Sequence, residues 1–202
     1  MVQTLFCQGT IYTARSAFES ALNSSTTITF EDLPVTPEVG TGLSSVTTSG
    51  VTFDAGMLLF IRDKFAPVPA SGNYLRHFDG SIPVSIFLPS GITAFGADFS
   101  AETGANPTFN GTLTANLVGG QSFTYGLGGP GGSWTFFGVT FQQPIASLIF
   151  DDRPSAPLFL HNEILDNVTF GTIPEPSAVG LLTLGGLLFA LRTWAVRPGC
   201  RS

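Results

Sequence analysis

Residues 112–117 read Thr-Leu-Thr-Ala-Asn-Leu, so that Leu113, Ala115 and Leu117 alternate with Thr112, Thr114 and Asn116. Successive side chains of a strand point to opposite faces, and strict alternation marks a strand with one face in a core and one in water. The pattern recurs where Phe95, Ala97 and Phe99 alternate with Ala94, Gly96 and Asp98, and where Ile28 and Phe30 alternate with Thr27, Thr29 and Glu31. Further strands are expected at 51–53, 58–62, 84–88, 122–126, 135–141, 146–151 and 164–170, with Gly- or Pro-containing turns at 70–73, 127–132 and 153–157. Roughly ten short strands without an internal helical pattern predict an all-β fold, an antiparallel β-sandwich of jelly-roll type. No repeat of about 20–50 residues is present, which argues against a solenoid or a propeller.

The alternating region spans 27–171, an ordinary size for one domain with its own core. Within it twelve carboxylates face Arg62, Lys64, Arg76 and Arg153, a net charge of −8. Such a surface repels nucleic acid and other polyanions and favours cations or neutral sugars. Cys7 and Cys200 lie outside this region and no Cys-x-x-Cys spacing exists, so cysteine chemistry contributes nothing to the reading. His77 and His161 stand apart from any nucleophile or metal-ligand spacing, and the Gly-rich run at 126–132 lacks the Lys-Ser/Thr and helix of a phosphate loop. Asp151 and Asp152 point to opposite faces of a strand and cannot flank one glycosidic bond. Asp98 and Glu102 form a looser pair at a strand end.

Two strands carry the candidate chemistry. Alternation sets Asp166 on the face of Ile164, Val168 and Phe170, and sets Asp32 with Ile28 and Phe30. A carboxylate on an apolar face must be paired, hydrogen-bonded or coordinated. The Phe-Glu-Asp-Leu and Leu-Asp-Asn-Val-Thr-Phe segments resemble the first and last strands of carbohydrate-binding-type sandwiches. That resemblance implies neighbouring strands and, in some cases, a structural calcium, for which Glu31, Asp32, Asp166 and Asn167 offer oxygen ligands. Hydrogen bonding to loop amides is the plainer alternative. Trp134, beside Gly-Gly-Ser, and Tyr74 are candidates for an aromatic platform under a sugar ring, whereas Phe137 reads as core.

Both ends of the chain lie outside this pattern. Residues 1–26 lack the basic start and apolar stretch of a signal peptide, and 15–22 read as a short amphipathic helix with Ala14, Phe18, Ala21 and Leu22 on one stripe. The C-terminus runs Pro174-Glu175-Pro176-Ser177, then an apolar stretch at 178–196 broken only by Arg192, then Arg197 and Arg201. The prolines hold the first element extended and exposed. The apolar stretch, at about 1.5 Å per residue, is just long enough to cross a bilayer, with Arg192, Arg197 and Arg201 retained on the cytoplasmic side. This order of elements resembles the PEP-CTERM sorting domain of exported bacterial proteins. The resemblance implies processing by an exosortase, a membrane-anchored precursor, and a final place in the envelope, on the surface or in the extracellular matrix. It also implies a leader upstream of Met1. The expected organisation is therefore an N-terminal segment (1–26), a β-sandwich (27–171), a sorting linker (172–177), a transmembrane helix (178–196) and a basic tail (197–202).

With no catalytic constellation in view, the favoured function is a non-enzymatic envelope or exopolysaccharide-associated protein. A carbohydrate-binding module is the alternative, and a secreted glycan hydrolase ranks third. In a host with an exosortase, intact-mass analysis should find the mature chain ending near Pro174–Ser177. A mature C-terminus at Ser202 would overturn the sorting reading.

Overall fold

The computed structural model describes residues 9–36, 42–63, 72–78, 82–101, 108–130, 132–151 and 162–175. The apolar stretch, Pro176, Ser177, Arg192, Arg197, Arg201 and the second half of the sorting motif lie outside them, as do His161, Glu102 and Asp152. Among the described residues no helix is long and apolar enough to cross a membrane.

The described chain forms twelve strands and one short helix: β1 (Thr10–Tyr12), α1 (Arg15–Ser20), β2 (Ser24–Ile28), β3 (Leu43–Thr48), β4 (Val51–Arg62), β5 (Tyr74–Phe78), β6 (Val84–Phe87), β7 (Ala94–Ala101), β8 (Thr108–Leu117), β9 (Ser122–Pro130), β10 (Thr135–Thr140), β11 (Ile145–Asp151) and β12 (Asn162–Thr172). All pairings are antiparallel, and the strands follow one curled path, β1-β10-β7-β12-β5-β4-β6-β11-β8-β9, with β2 added to β12 and β3 to β4. The curl brings two layers face to face over one core. From one layer come Phe95, Phe99, Val139 and Val168; from the other come Phe53, Ile86, Leu113 and Leu148, each 0–1% exposed. Phe99 and Phe150 meet edge to face at 5.0 Å across that core.

β12 is shared by three neighbours. β7 runs along one side, while β2 and β5 divide the other, β2 taking 168–172 and β5 taking 162–165. The two segments expected at 51–53 and 58–62 are one long strand, β4, which pairs with β3 and β6 at its start and with β5 at its end. The Gly-rich run begins as strand: β9 continues to Pro130 in register with β8. His77 is buried in β5, in register between Leu59 and Glu163.

Residues 9–26, expected to precede the domain, belong to the same sheet. β1 pairs with β10, and α1 lies on the outer face of β7 and β10. Its one buried side chain, Phe18, rests on Gly96 and Gly138, which oppose each other across the two strands. A Cβ at Gly138 would stand 2.7 Å from Phe18 Cδ2, and one at Gly96 would stand 2.9 Å from Phe18 Cε1. These glycines give up strand propensity to let an aromatic ring reach the backbone. Gly138→Ala should therefore lift Phe18 and cost about 1–3 kcal/mol in denaturant unfolding. A loss under about 0.5 kcal/mol would mean that the helix is not seated by this contact.

Candidate functional site

Of the polar residues singled out after β2 and on β12, Glu31, Asp166 and Asn167 lie around the gap where β2 leaves β12 and β5 begins. Asp166 pairs with Asp98 of β7, but the next pair in register is Thr169 with Gly96, so β12 carries one extra residue, a β-bulge. Asn167 takes it up with φ 48°, a left-handed conformation that Asn tolerates better than most residues. The bulge resets the parity of the strand. Val168 and Phe170 face the core, whereas Asp166 lies on the outer face beside Asp98, sharing that face with Ile164 alone of the three predicted neighbours.

Asp32 does not join the site. β2 ends at Ile28, Phe30 turns into the core with φ 61°, and Asp32 is left exposed in the turn that Leu33 N–H closes onto the Phe30 carbonyl at 3.1 Å. Glu31 does come near: its carboxylate accepts the Asn73 N–H at 2.9 Å and contributes to the field at Asp166. Asn73 also donates through Nδ2 to the Leu33 carbonyl at 3.0 Å, and Gly72 (φ 119°) leaves room for the Glu31 carboxylate.

One cation organises the group. Arg15 of α1 forms an ion pair with Asp98 at 3.0 Å, donates to Thr169 Oγ1 at 2.9 Å and to the Asn167 carbonyl at 2.8 Å, and stacks 4.7 Å from the Phe136 ring centroid. Asn167 Nδ2 bridges the two carboxylates, donating to Asp98 at 3.0 Å and to Asp166 at 3.3 Å, while its own N–H donates to Asp166 at 2.6 Å. Among the described residues no group of three or more His, Cys, Asp or Glu side chains is arranged to hold a metal ion. Of the four residues considered for calcium, Glu31, Asp166 and Asn167 converge, and their partners are protein groups.

Arg15 serves Asp98, and Asp166 is left as the unneutralised member. Burial pushes its pKa up to about 7; the Asn167 N–H opposes the rise, while Asp98 and Glu31 add to it and Arg15 detracts. A carboxyl whose folded-state pKa exceeds its unfolded value of 3.8 binds more protons when folded, so it favours the fold at low pH. Its stabilising contribution is present below about 3.8 and is lost as pH rises through about 7. The expected measurement is a melting temperature that falls over this window and a flatter profile in Asp166→Asn. Parallel profiles for parent and variant would remove Asp166 as the cause.

The proposed aromatic platform is internal. Tyr74 is fully buried on the outer face of the sheet, where it forms a small second cluster with Ile164. Trp134 covers it edge-on, ring centroids 6.3 Å apart, and is itself half-buried. Of the sorting motif, Pro174 and Glu175 are exposed directly after β12.

The site that sequence reasoning missed lies where the two ends of the curled sheet approach. Among the described residues β9 pairs with β8 alone and β1 with β10 alone, and between these edges opens a cavity of about 380 Å³. The rings of Tyr125, Phe136, Phe137 and Phe99 line it with Ile11 and Leu127; Thr13, Thr124 and Thr135 supply hydroxyls; Gly126 and Gly128 supply bare backbone. Among the described residues no charged side chain lines the cleft. Gly126 has negative-φ strand geometry, and a Cβ built there would meet nothing within 4 Å, so neither conformation nor packing requires glycine at this position. The sequence signal was the unusual Tyr-Gly-Leu-Gly alternation, which resembles a turn more than a strand.

Comparison with known protein families and with characterised proteins finds no match. Among solved structures, the chain is similar to the CBM22-1 xylan-binding domain of Paenibacillus barcinonensis Xyn10C, at 12% identity and a TM-score of 0.44 over 73% of this chain and 93% of that one. A second xylan-binding domain from CBM 22 gives 12% identity and a TM-score of 0.40 over 68% of this chain and 97% of that one. The C-terminal family 22 carbohydrate-binding module of Clostridium thermocellum Xyn10B gives 12% identity and a TM-score of 0.40 over 66% and 93%.

Proposed function

We propose that this protein is a non-catalytic binding module for a neutral saccharide, that the saccharide sits in the cleft between β1, β9 and β10, and that the tail beginning at Pro174 directs the module to the cell surface. The curled sheet is, in this reading, a jelly-roll-type sandwich, with β2 and β12 as its adjoining first and last long-range pair. The observation that carries the reading is the composition of the cleft. Its volume of about 380 Å³ falls in the range of roughly 300–1,000 Å³ usual for small-ligand sites. Aromatic walls match the C–H face of a sugar ring, and threonine hydroxyls both donate to and accept from sugar hydroxyls.

Glycoside hydrolysis needs two carboxylates about 5–10 Å apart across the scissile bond. The cleft walls contain none, and the Asp98–Asp166 pair is tied down by Arg15 and Asn167 on the outer face of the sheet. Binding without turnover is the activity these walls support. The Pro-Glu-Pro element and the basic, apolar tail support display outside the cell, with an exosortase as the processing partner.

Gly126→Leu separates binding from folding. The added side chain enters open space, so the melting temperature should stay within a few degrees of the parent. Affinity for neutral trisaccharides, measured by titration calorimetry across a β-glucan, mannan and xylan set, should fall at least about tenfold. Equal affinity in parent and variant would place the ligand elsewhere, and release of reducing ends from the polymers would show catalysis instead.

A further inference from the structure

The outer face of the β3-β4-β6-β11-β8-β9 layer is built as a cross-strand lattice of small hydroxyl and amide side chains. The register runs unbroken across all six strands from Ser45 to Asp54, Ser85, Ile149, Thr114 and Thr124. Flanking rows contain Thr47–Thr52–Phe87 and Ser147–Asn116–Ser122. Strands lie about 4.8 Å apart, so a row presents one group per strand over roughly 24 Å.

The groups are pre-ordered. Thr47 and Thr52 hydroxyls meet at 2.9 Å, as do those of Thr114 and Thr124; Asn116 donates to Ser147 at 3.1 Å and accepts from Ser122 at 2.7 Å. Each hydroxyl engaged in one such bond keeps further lone-pair capacity, and β-branched threonine gives up little side-chain freedom when a ligand arrives. Phe87 stands among these hydroxyls with 47% of its surface exposed. Asp54 is the one charged side chain among the residues of these rows, and no Lys or Arg stands in them, so the rows favour a neutral partner over an anionic one.

We infer that this face is a docking surface for an extended, neutral polysaccharide, lying across the strands along the Ser45–Thr124 row with Phe87 stacked on one of its rings. Two features select this partner. A sugar chain offers both hydroxyls and apolar ring faces, as these rows do with their hydroxyls, Ile149 and Phe87, and a neutral chain suits rows without cations. The face is also continuous with the proposed cleft, because Thr124 and Gly126 belong to both. The inference rests on the cleft reading for the polymer's end point, and it extends it by making the ligand a polymer rather than a short oligosaccharide.

The test uses the full chain with soluble β-glucan, mannan and xylan and with the trisaccharide of each. The polymer should bind at least about tenfold more tightly than its trisaccharide. Phe87→Ala and the isosteric Thr52→Val/Thr114→Val pair should erase that advantage while leaving trisaccharide affinity and melting temperature unchanged. Gly126→Leu should act on the trisaccharide. Polymer affinity equal to that of the trisaccharide, or indifferent to both face variants, overturns the inference and leaves the cleft reading intact. Polymer binding that depends on the face variants but not on Gly126 upholds the face and overturns the cleft. A Phe87-dependent dimer in sedimentation would assign the face to self-association and overturn the inference.

Discussion

The single extra residue in β12 is the constraint on which both layers depend. Without it, alternation would place Asp166 and Val168 on one face, and either a carboxylate would enter the core or a valine would leave it. With Asn167 in a left-handed conformation, the strand presents Leu165 inward, Asp166 outward, Val168 inward and Thr169 outward. The same irregularity falls where the neighbour on one side of β12 changes from β2 to β5. The two chain segments that meet there close the opening: the Glu31 carboxylate accepts the Asn73 N–H, and Asn73 Nδ2 donates to the Phe30 carbonyl. The curl of the sheet, and hence the meeting of its distant edges, follows from letting one strand serve three partners.

Arg15 converts that backbone irregularity into a link with the N-terminal helix. It reaches the Asn167 carbonyl, freed by the bulge, together with Asp98 and Thr169. Its guanidinium plane lies over Phe136, which packs on Phe18 below and lines the cleft. Guanidinium suits this position because it offers several fixed donors and a flat face together, which an ammonium does not. One side of the cleft is thus held by a chain of contacts that begins at the bulge in β12.

Four strands were legible in the sequence: β8 and β11, which alternate between core and solvent, and β7 and β10, whose outer face is covered by the chain, match their predicted positions to within a few residues. β1, β3 and β5 were not. β1 is three residues long, and β3 buries Val46 alone, so neither yields a period. In β5, Tyr74, Leu75, Arg76 and His77 are all buried, which erases alternation. The same cover explains why Tyr74 was mistaken for a surface ring. The adjacency of the segments around Ile28 and Val168 was read correctly, but the residues that meet there were not, since parity fails on passing Phe30 and again on passing Asp166. Neither irregularity carries a glycine that would have marked it.

The two outer faces of the curled sheet differ in a way that bears on function. On the β7–β10–β12 side, the glycines at 96 and 138 admit Phe18, and Trp134 covers Tyr74 and Ile164, so that face is sealed by the chain itself. On the opposite side Gly129 of β9 makes room for the Thr135 side chain, but a Cβ at Gly126 would meet nothing within 4 Å, and the neighbouring strands raise mostly small hydroxyls and amides around Phe87. Glycine within a strand costs roughly 0.5–1 kcal/mol relative to alanine. On the first face that cost is offset by a buried aromatic ring, whereas at Gly126 the folded chain returns no contact for it. Gly126 borders both the proposed cleft and the hydroxyl rows, and its missing side chain is accounted for if a ligand approaches the backbone there.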